Sequence, residues 1–427
     1  MRKMKDSGIE WIGEIPENWS VGKTLYGLSM PITDGPHETP ELYEEGIPFV
    51  SAEAVSNGNG KIDFEHIRGY ISKEYYDECC KKYTPAINDI YMIKSGATTG
   101  KIALVDTKEI FTIWSPLAVF RCNKNKCYYK YLYYVLQSDC YQKQIENGWS
   151  FGTQQNIGMR TLEKLLICYP EIQEQARIAG YLDKKCAEID AIIAAKEKTN
   201  ELLKECRQSI IYEAVTKGLD PTVPMKDSGV EWIGEIPESW DTCKLKYAVE
   251  CRTEKTVDKS ASVAYIGLEH VKSDFGVLVD EYEHIWDFEG DTIDFKLGDV
   301  LFGKLRPYLA KAWPASFNGK CSSEFWVMTP IKLTSKFLLY TVLSNHFIAN
   351  IDHSTFGVKM PRAEWEYAGN QLICCPSIAE QENITEYLDL KCSEIDSLIS
   401  ENAESIEMLK EYRQSVIYEA VTGKIEV

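Results

Sequence analysis

The chain repeats itself, and the repetition constrains its architecture more than any single motif. Met4–Trp19 recurs as Met225–Trp240 with 14 of 16 residues identical; only Ile9/Val230 and Asn18/Ser239 differ. A second repeat runs from Pro170 to Lys217 and again from Pro376 to Gly423, with 27 of 48 positions identical. It carries Ile-x-Glu-Gln (172–175 and 378–381), Tyr-Leu-Asp (181–183 and 387–389) and Arg-Gln-Ser (207–209 and 413–415), and both copies close on Ile-Tyr-Glu-Ala-Val-Thr. The blocks between these repeats align weakly. Asp89-Ile90 matches Asp299-Val300, Lys94 matches Lys304 and Lys101 matches Lys311, all at an offset of 210. Further on, Tyr133-x-Val135-Leu136 matches Tyr340-x-Val342-Leu343, and Phe151-Gly152 matches Phe356-Gly357. The expected order is a repeat segment (1–19), a block (20–169), a helix (170–217), a linker with the second repeat segment (218–240), a second block (241–375) and a second helix (376–427). Two copies of one fold in tandem predict an internal pseudo-two-fold, which presents one kind of surface twice.

The repeated tails read as helices that pair. In 377–424, Leu388, Ile395, Asn402, Leu409 and Val416 are spaced by sevens, and Cys392, Ile399, Ile406, Arg413 and Ala420 follow four residues later in each heptad. The earlier tail shows the same seam in Leu182, Cys186, Ile189, Ile193, Lys196, Asn200, Leu203, Arg207, Ile210 and Ala214. This is the a/d pattern of a coiled coil, and its few polar members fix register. Each run would extend about 60 Å at 1.5 Å per residue, too far to lie on one small domain. Antiparallel pairing of the two tails suits the pseudo-two-fold and would hold the blocks apart. Gly218, Pro221 and Pro224 stop the first helix and return the chain to Met225. The Trp and Ile residues of each Trp-Ile-Gly-Glu-Ile-Pro segment read as staples onto the core of the following block. The fold class that results is α+β: two similar α/β domains joined by two long antiparallel paired helices.

Composition is that of a folded protein, with 44% hydrophobic and 26% charged residues over 427 positions. No apolar run approaches the roughly 20 residues of a membrane span. No apolar stretch follows Met1-Arg2-Lys3, so a secretory signal is not expected and the cytoplasm is. Fourteen cysteines include no Cys-x-x-Cys, which favours reduced packing thiols over a metal or disulfide framework. The net charge of −18 argues at first against nucleic acid. Its distribution weakens the objection. Residues 20–169 carry 16 basic and 17 acidic residues, and 241–375 carry 15 and 18, whereas 218–240 and 376–424 hold net charges of −4 and −7. Two near-neutral blocks are thus joined by acidic connectors, and a near-neutral block can hold a basic face.

The repeated residues resemble the specificity subunits of type I restriction–modification systems. The resemblance rests on Met-Lys-Asp-Ser-Gly-x-Glu-Trp-Ile-Gly-Glu-Ile-Pro-x-x-Trp before each block, on Pro-x-Ile-x-Glu-Gln…Ile-x-x-Tyr-Leu-Asp after it, and on Lys-Leu-Arg-Pro-Tyr-Leu (304–309) within the second. It covers nearly the whole chain. It implies two target-recognition domains, each reading one half of a gapped, asymmetric DNA site, with the conserved helices as spacer and docking surface. It implies as partners double-stranded DNA, two adenine-N6 methyltransferase subunits and, in the full complex, ATP-driven restriction subunits. No cofactor is expected on this chain; S-adenosylmethionine, ATP and magnesium would sit on the partners. The strongly acidic second helix departs from the expected pattern and leaves open which faces meet partners.

No catalytic motif stands out. Adenine-N6 methyltransferases carry an Asn/Asp-Pro-Pro-aromatic motif, and this chain has no Pro-Pro pair. Gly96-Ala97-Thr98-Thr99-Gly100-Lys101-Ile102 imitates a phosphate-binding loop but has three residues between its glycines and Ile where Ser or Thr would hold magnesium. It reads better as the turn of a hairpin between Asp89–Lys94 and Lys101–Val105. The chain is therefore expected not to be an enzyme. The matched hairpins are the best DNA-reading candidates: Lys94, Thr98, Thr99 and Lys101 in the first, Lys304, Arg306, Tyr308 and Lys311 in the second. Matched lysines suit phosphates, which fix position without sequence information, and the differing residues between them suit base edges. Gln154, Gln155, Asn156 and Arg160, with Lys359 and Arg362, form two further candidate loops, because Gln and Asn suit adenine and Arg suits guanine. Two other readings remain at this point: a coiled-coil scaffold that binds only proteins, and a stand-alone DNA-modifying enzyme.

Overall fold

The structure is a computed structural model that describes residues 2–151, 155–256, 264–279, 291–357 and 360–427. It divides into two units, Met1–Lys196 with Glu404–Val427, and Glu197–Ala403. The long helices Ile172–Lys217 and Ile378–Val421, of 46 and 44 residues, each contribute to both.

In the first unit a four-stranded antiparallel sheet runs in the order Thr33–Asp34, Leu117–Phe120, Ile90–Ile93, Ile102–Leu104. Both of its faces are apolar. Because successive strand residues point to opposite sides, Ile90, Met92, Ala118 and Phe120 enter one core with the helix Tyr129–Gln137 and the long helices. Tyr91, Ile93, Leu117 and Val119 enter a second core under a sheet of Tyr70–Ile71, Ile47–Val50 and Thr112–Ile113, the last pair parallel.

The second unit repeats this plan. Its first sheet runs Val249–Arg252, Phe325–Pro330, Val300–Gly303, Ala312–Pro314. Val300, Phe302, Trp326 and Met328 face the helix-side core, while Leu301, Phe325 and Val327 face the other. The second sheet, Lys255–Thr256, Thr292–Phe295, Gly319–Ser322 and Tyr265–Ile266, also ends on a parallel pair. Two copies of one fold, inferred from a few matched residues, are what the chain forms.

Each repeated motif has a contact that explains it. Trp19 and Trp240 are buried with the neighbouring Ile12, Ile15, Ile233 and Ile236, as staples should be. Their indole N–H groups donate to Glu174 and Glu380 of Ile-x-Glu-Gln, each at 3.1 Å. The buried Gln175 accepts from Tyr128 N at 2.8 Å and donates to the Lys126 and Pro170 carbonyls. Gln381 repeats all three bonds with Thr334 N, Lys332 and Pro376. A buried amide with its donors and acceptor satisfied fixes the start of each long helix against its block. The Asp of Tyr-Leu-Asp then ties helix to helix: Asp183 accepts from Tyr134 and Lys130, and Asp389 from Tyr340 and Lys336. The closing Tyr212 and Tyr418 hydroxyls donate back to the Trp232 and Ile12 carbonyls of the short repeat segments.

The long helices pair antiparallel in each unit. In the second, Asn200 meets Asn402 at 3.0 Å while Arg207 meets Asp396 at 2.9 Å, so one partner number falls as the other rises. In the first, Asp190 meets Arg413 at 2.9 Å, whereas Trp19 lies between Glu174 and the backbone of Gly423. The seam residues Leu182, Ile189, Leu388, Ile395, Ile406 and Val416 are buried, and Ile193, Leu203, Ile210, Ile399, Asn402 and Leu409 are half-buried. Of the polar seam positions, Asn200 and Asn402 pair with one another, while Arg207 and Arg413 pair with Asp396 and Asp190 beside the seam, contacts that fix register.

Candidate nucleic-acid interface

The candidate loops, far apart in sequence, converge within each unit. In the first, the hairpin forms as expected: Ile93 N donates to Lys101 O at 2.9 Å and Gly100 N to Ile93 O at 2.8 Å. Its turn is braced by the Thr99 hydroxyl, 2.7 Å from Gly96 O. Against it lies the strand pair Ser150–Phe151 and Gln155–Asn156. Ile157 N donates to Lys94 O at 2.9 Å, and Gly96 N to Gln155 O at 3.0 Å. The second unit has the same lattice. Gly303 N donates to Lys311 O at 2.8 Å, Ala363 N to Lys304 O at 3.0 Å, and Arg306 N to Pro361 O at 2.8 Å. Backbone bonds alone thus build one scaffold twice.

Backbone conformation is shared too. Gly96 and Gly100 adopt φ of 103° and 94°, and their counterparts Arg306 and Ala310 keep positive φ at 53° and 47°. A side chain there costs about 1 kcal/mol or more, and such strain gathers where a surface is shaped for a ligand. It turns Arg306 and Tyr308 outward; both are exposed.

The charges are not equivalent. Lys94 lies 3.3 Å from the buried Asp34 and has only 12% of its side chain exposed. Lys101 is exposed, with its ammonium 3.5 Å from Ser56 O. In the second unit the Lys311 ammonium donates to Leu268 O at 2.6 Å, and burial lowers its pKa. Burial also lowers that of Lys304, with Lys255 and Arg362 adding to the effect and Glu324 opposing it. Lys255, Lys304 and Arg362 line one cavity of about 570 Å³ together with Glu324, Phe356 and Met360. Arg362 is held by Glu324 at 2.6 Å, while Phe356 and Met360 stand 73% and 59% exposed at the mouth. Thr98 is half-buried in the first turn, and Gln155, Asn156 and Arg160 are exposed beside it. Gln154 and Lys359 lie outside the described residues. Sequence reasoning missed Lys255, Glu324 and Met360, which carry no repeat or motif signal, and it did not join the loops.

Asp34 anchors the first site. Burial would raise its pKa, but the Lys82 ammonium, Lys94 and His37 outweigh burial and leave it lowered. A lowered carboxylate contributes stability that is present above the unfolded value near 4 and is lost as pH falls through the folded one. Asp34→Asn should therefore flatten the acid limb of stability, read by urea unfolding across about pH 2–5; an unchanged limb would contradict this account.

Among the described residues no His, Cys, Asp and Glu cluster could hold a metal, and no helix is long and apolar enough to cross a membrane. Residues 36–204 match the family model of the type I restriction modification DNA specificity domain. The putative type I restriction enzyme MjaX specificity subunit of Methanocaldococcus jannaschii is 31% identical over 55% of this chain and 53% of its own, so the match spans about half of that relative. The type I restriction enzyme MjaVIII specificity subunit of the same organism is 24% identical over 86% of each chain. A solved chain from work on complex assembly and conformational transition of the type I R-M system has the same fold, at a TM-score of 0.70 and 15% identity over 96% of this chain and 99% of that one. With the repeated flanking motifs and the duplicated fold, these matches make the chain similar to type I restriction–modification specificity subunits along most of its length.

Proposed function

We propose that each unit reads one half of a gapped, asymmetric DNA sequence through its paired loops, and that the chain, itself without catalysis, docks two adenine-N6 methyltransferase subunits and restriction subunits in the cytoplasm. One observation carries this reading: the same backbone lattice occurs twice and carries different side chains. Shared geometry with changed chemistry suits two reading heads for two different half-sites. The first offers Thr98, Thr99, Gln155, Asn156 and Arg160, and the second Arg306, Tyr308 and Arg362, with donors and acceptors of the kind that pair with base edges. Lys304, held down by burial and neighbouring cations, gains from an anion, so a phosphate suits its cavity. S-adenosylmethionine, ATP and magnesium would belong to the partner subunits.

The test is reconstitution of the chain with an adenine-N6 methyltransferase subunit and S-adenosylmethionine, followed by sequencing of methylated adenines on genomic DNA. One gapped motif is expected, with binding that weakens as salt rises because phosphate contacts release counterions. Methylation without sequence preference, or binding to the methyltransferase with no affinity for DNA, would favour a protein-only scaffold. Methyl transfer by the purified chain alone would overturn the non-catalytic role.

A further inference from the structure

The two units differ at their stems. In the second, Asp241–Lys244 enters the block directly after Trp240 and pairs with Leu372–Cys375, which leaves it directly before Pro376 and the second long helix. The register sets Asp241 opposite Cys375 and Cys243 opposite Ile373, so the two cysteines are diagonal neighbours on one face of the ladder. Their sulfurs touch at 2.6 Å. In the first unit the same two positions hold Gly22 and Tyr169, in the same register, and the Tyr169 ring fills the space, 3.2 Å from where a Gly22 Cβ would stand. The thiol pair is therefore a property of one stem and not of the duplicated fold.

We propose that Cys243 and Cys375 form a redox-modification site whose substrate is a low-molecular-weight disulfide of the glutathione type. Both thiols line an open cavity of about 540 Å³ whose other walls include Lys226, Trp240, Thr242 and Lys332, so a small disulfide reaches them from solvent. The hydrogen bond from Cys375 and the Lys332 ammonium lower the Cys243 pKa to about 7, with burial and Asp241 opposing them, and this marks Cys243 as the attacking thiolate. The nearby Cys374 and Cys251 lack this combination, because burial raises the pKa of each to about 12.

The chemistry balances. The Cys243 thiolate attacks one sulfur of the small disulfide, forming a mixed disulfide and releasing one small thiolate, which takes up the proton Cys243 gave to water. Cys375 then loses its proton and attacks the Cys243 sulfur, expelling the second small thiol. Two protein thiols are oxidised to one internal disulfide, and one small disulfide is reduced to two thiols. The new bond closes residues 243–375, the whole second block, at its base. A loop of that length confines the unfolded chain and raises the midpoint of thermal unfolding.

Incubating the full chain with oxidised glutathione and digesting it under non-reducing, alkylating conditions tests the assignment. The expected result is a Cys243–Cys375 cross-linked peptide that forms before any other cysteine is modified. With it should come a higher unfolding midpoint that returns on reduction and is absent in Cys243→Ser. Cys375→Ser should stop at the mixed disulfide on Cys243. Failure of the wild-type chain to form the cross-link, or preferential modification of the exposed Cys206, would overturn the proposal, and neither readout depends on a variant that folds.

Discussion

Replacing Asp396 by alanine lowers the unfolding free energy of the second unit by about 3 kcal/mol, whereas the equivalent change at Asp190 in the first costs about 1 kcal/mol or less. The two aspartates occupy the same repeat position and pair with the same repeat arginine, yet their surroundings differ. Arg207 has only 5% of its side chain exposed and Asp396 25%, against 21% and 45% for Arg413 and Asp190. Arg207 also donates to Asp274 O at 3.0 Å and lies over the Phe275 ring, so its guanidinium has little water to return to. Its Nε approaches Asp396 Oδ1 at 2.9 Å as a charge pair without the alignment of a good hydrogen bond. The pair thus holds mainly by attraction, and removing one member strands the other charge. Calorimetric unfolding of Asp396→Ala, Asp190→Ala and the Arg207→Met/Asp396→Leu double variant separates the terms. The apolar double variant should recover most of the loss. Equal costs at the two aspartates would show that burial does not set the difference.

Arg362→Ala weakens specific DNA binding by the reconstituted complex about 10- to 100-fold, the 1–3 kcal/mol of a good base contact, and relaxes the motif at one position of one half-site only. The substitution also frees the Glu324 carboxylate, whose Oε2 is buried without a hydrogen-bond partner. Part of the loss would then be repulsion between Glu324 and phosphate, which Glu324→Gln in the same background should restore. Lys101→Ala makes a useful contrast. Its ammonium is exposed at the edge of the first hairpin, so the change should reduce the slope of log affinity against log salt by about 1 and leave the motif intact. Sequencing methylated adenines reads the motif, and titration at several salt concentrations reads the slope. An unaltered motif in both halves after Arg362→Ala would remove this residue from base reading.

Much of the architecture could be read from one dimension. Repeats survive as identical letters, and the heptad spacing of Leu388 to Val416 follows from helix geometry alone. The buried glutamines of Ile-x-Glu-Gln and the tryptophans of the short segments were visible as repeated residues, but their partners were not. Gln175 bonds to residues up to 49 positions away and Trp19 to one 155 away, and no local pattern records such a meeting. The candidate site divides in the same way. Lys94 and Lys304 were legible as matched cations, but their withdrawal beside Asp34 and Glu324 was not, because burial depends on what the other strands bring. Gly96 and Gly100 advertise a turn with positive φ, while Arg306 and Ala310 hide the same turn behind ordinary side chains. Repeated letters disclose the duplication, heptad spacing the long paired helices, and short motifs the want of a familiar catalytic signature. The meetings of Gln155 with Gly96, of Pro361 with Arg306 and of Cys243 with Cys375 leave no such trace, since they are closed by backbone bonds and strand register across long stretches of chain.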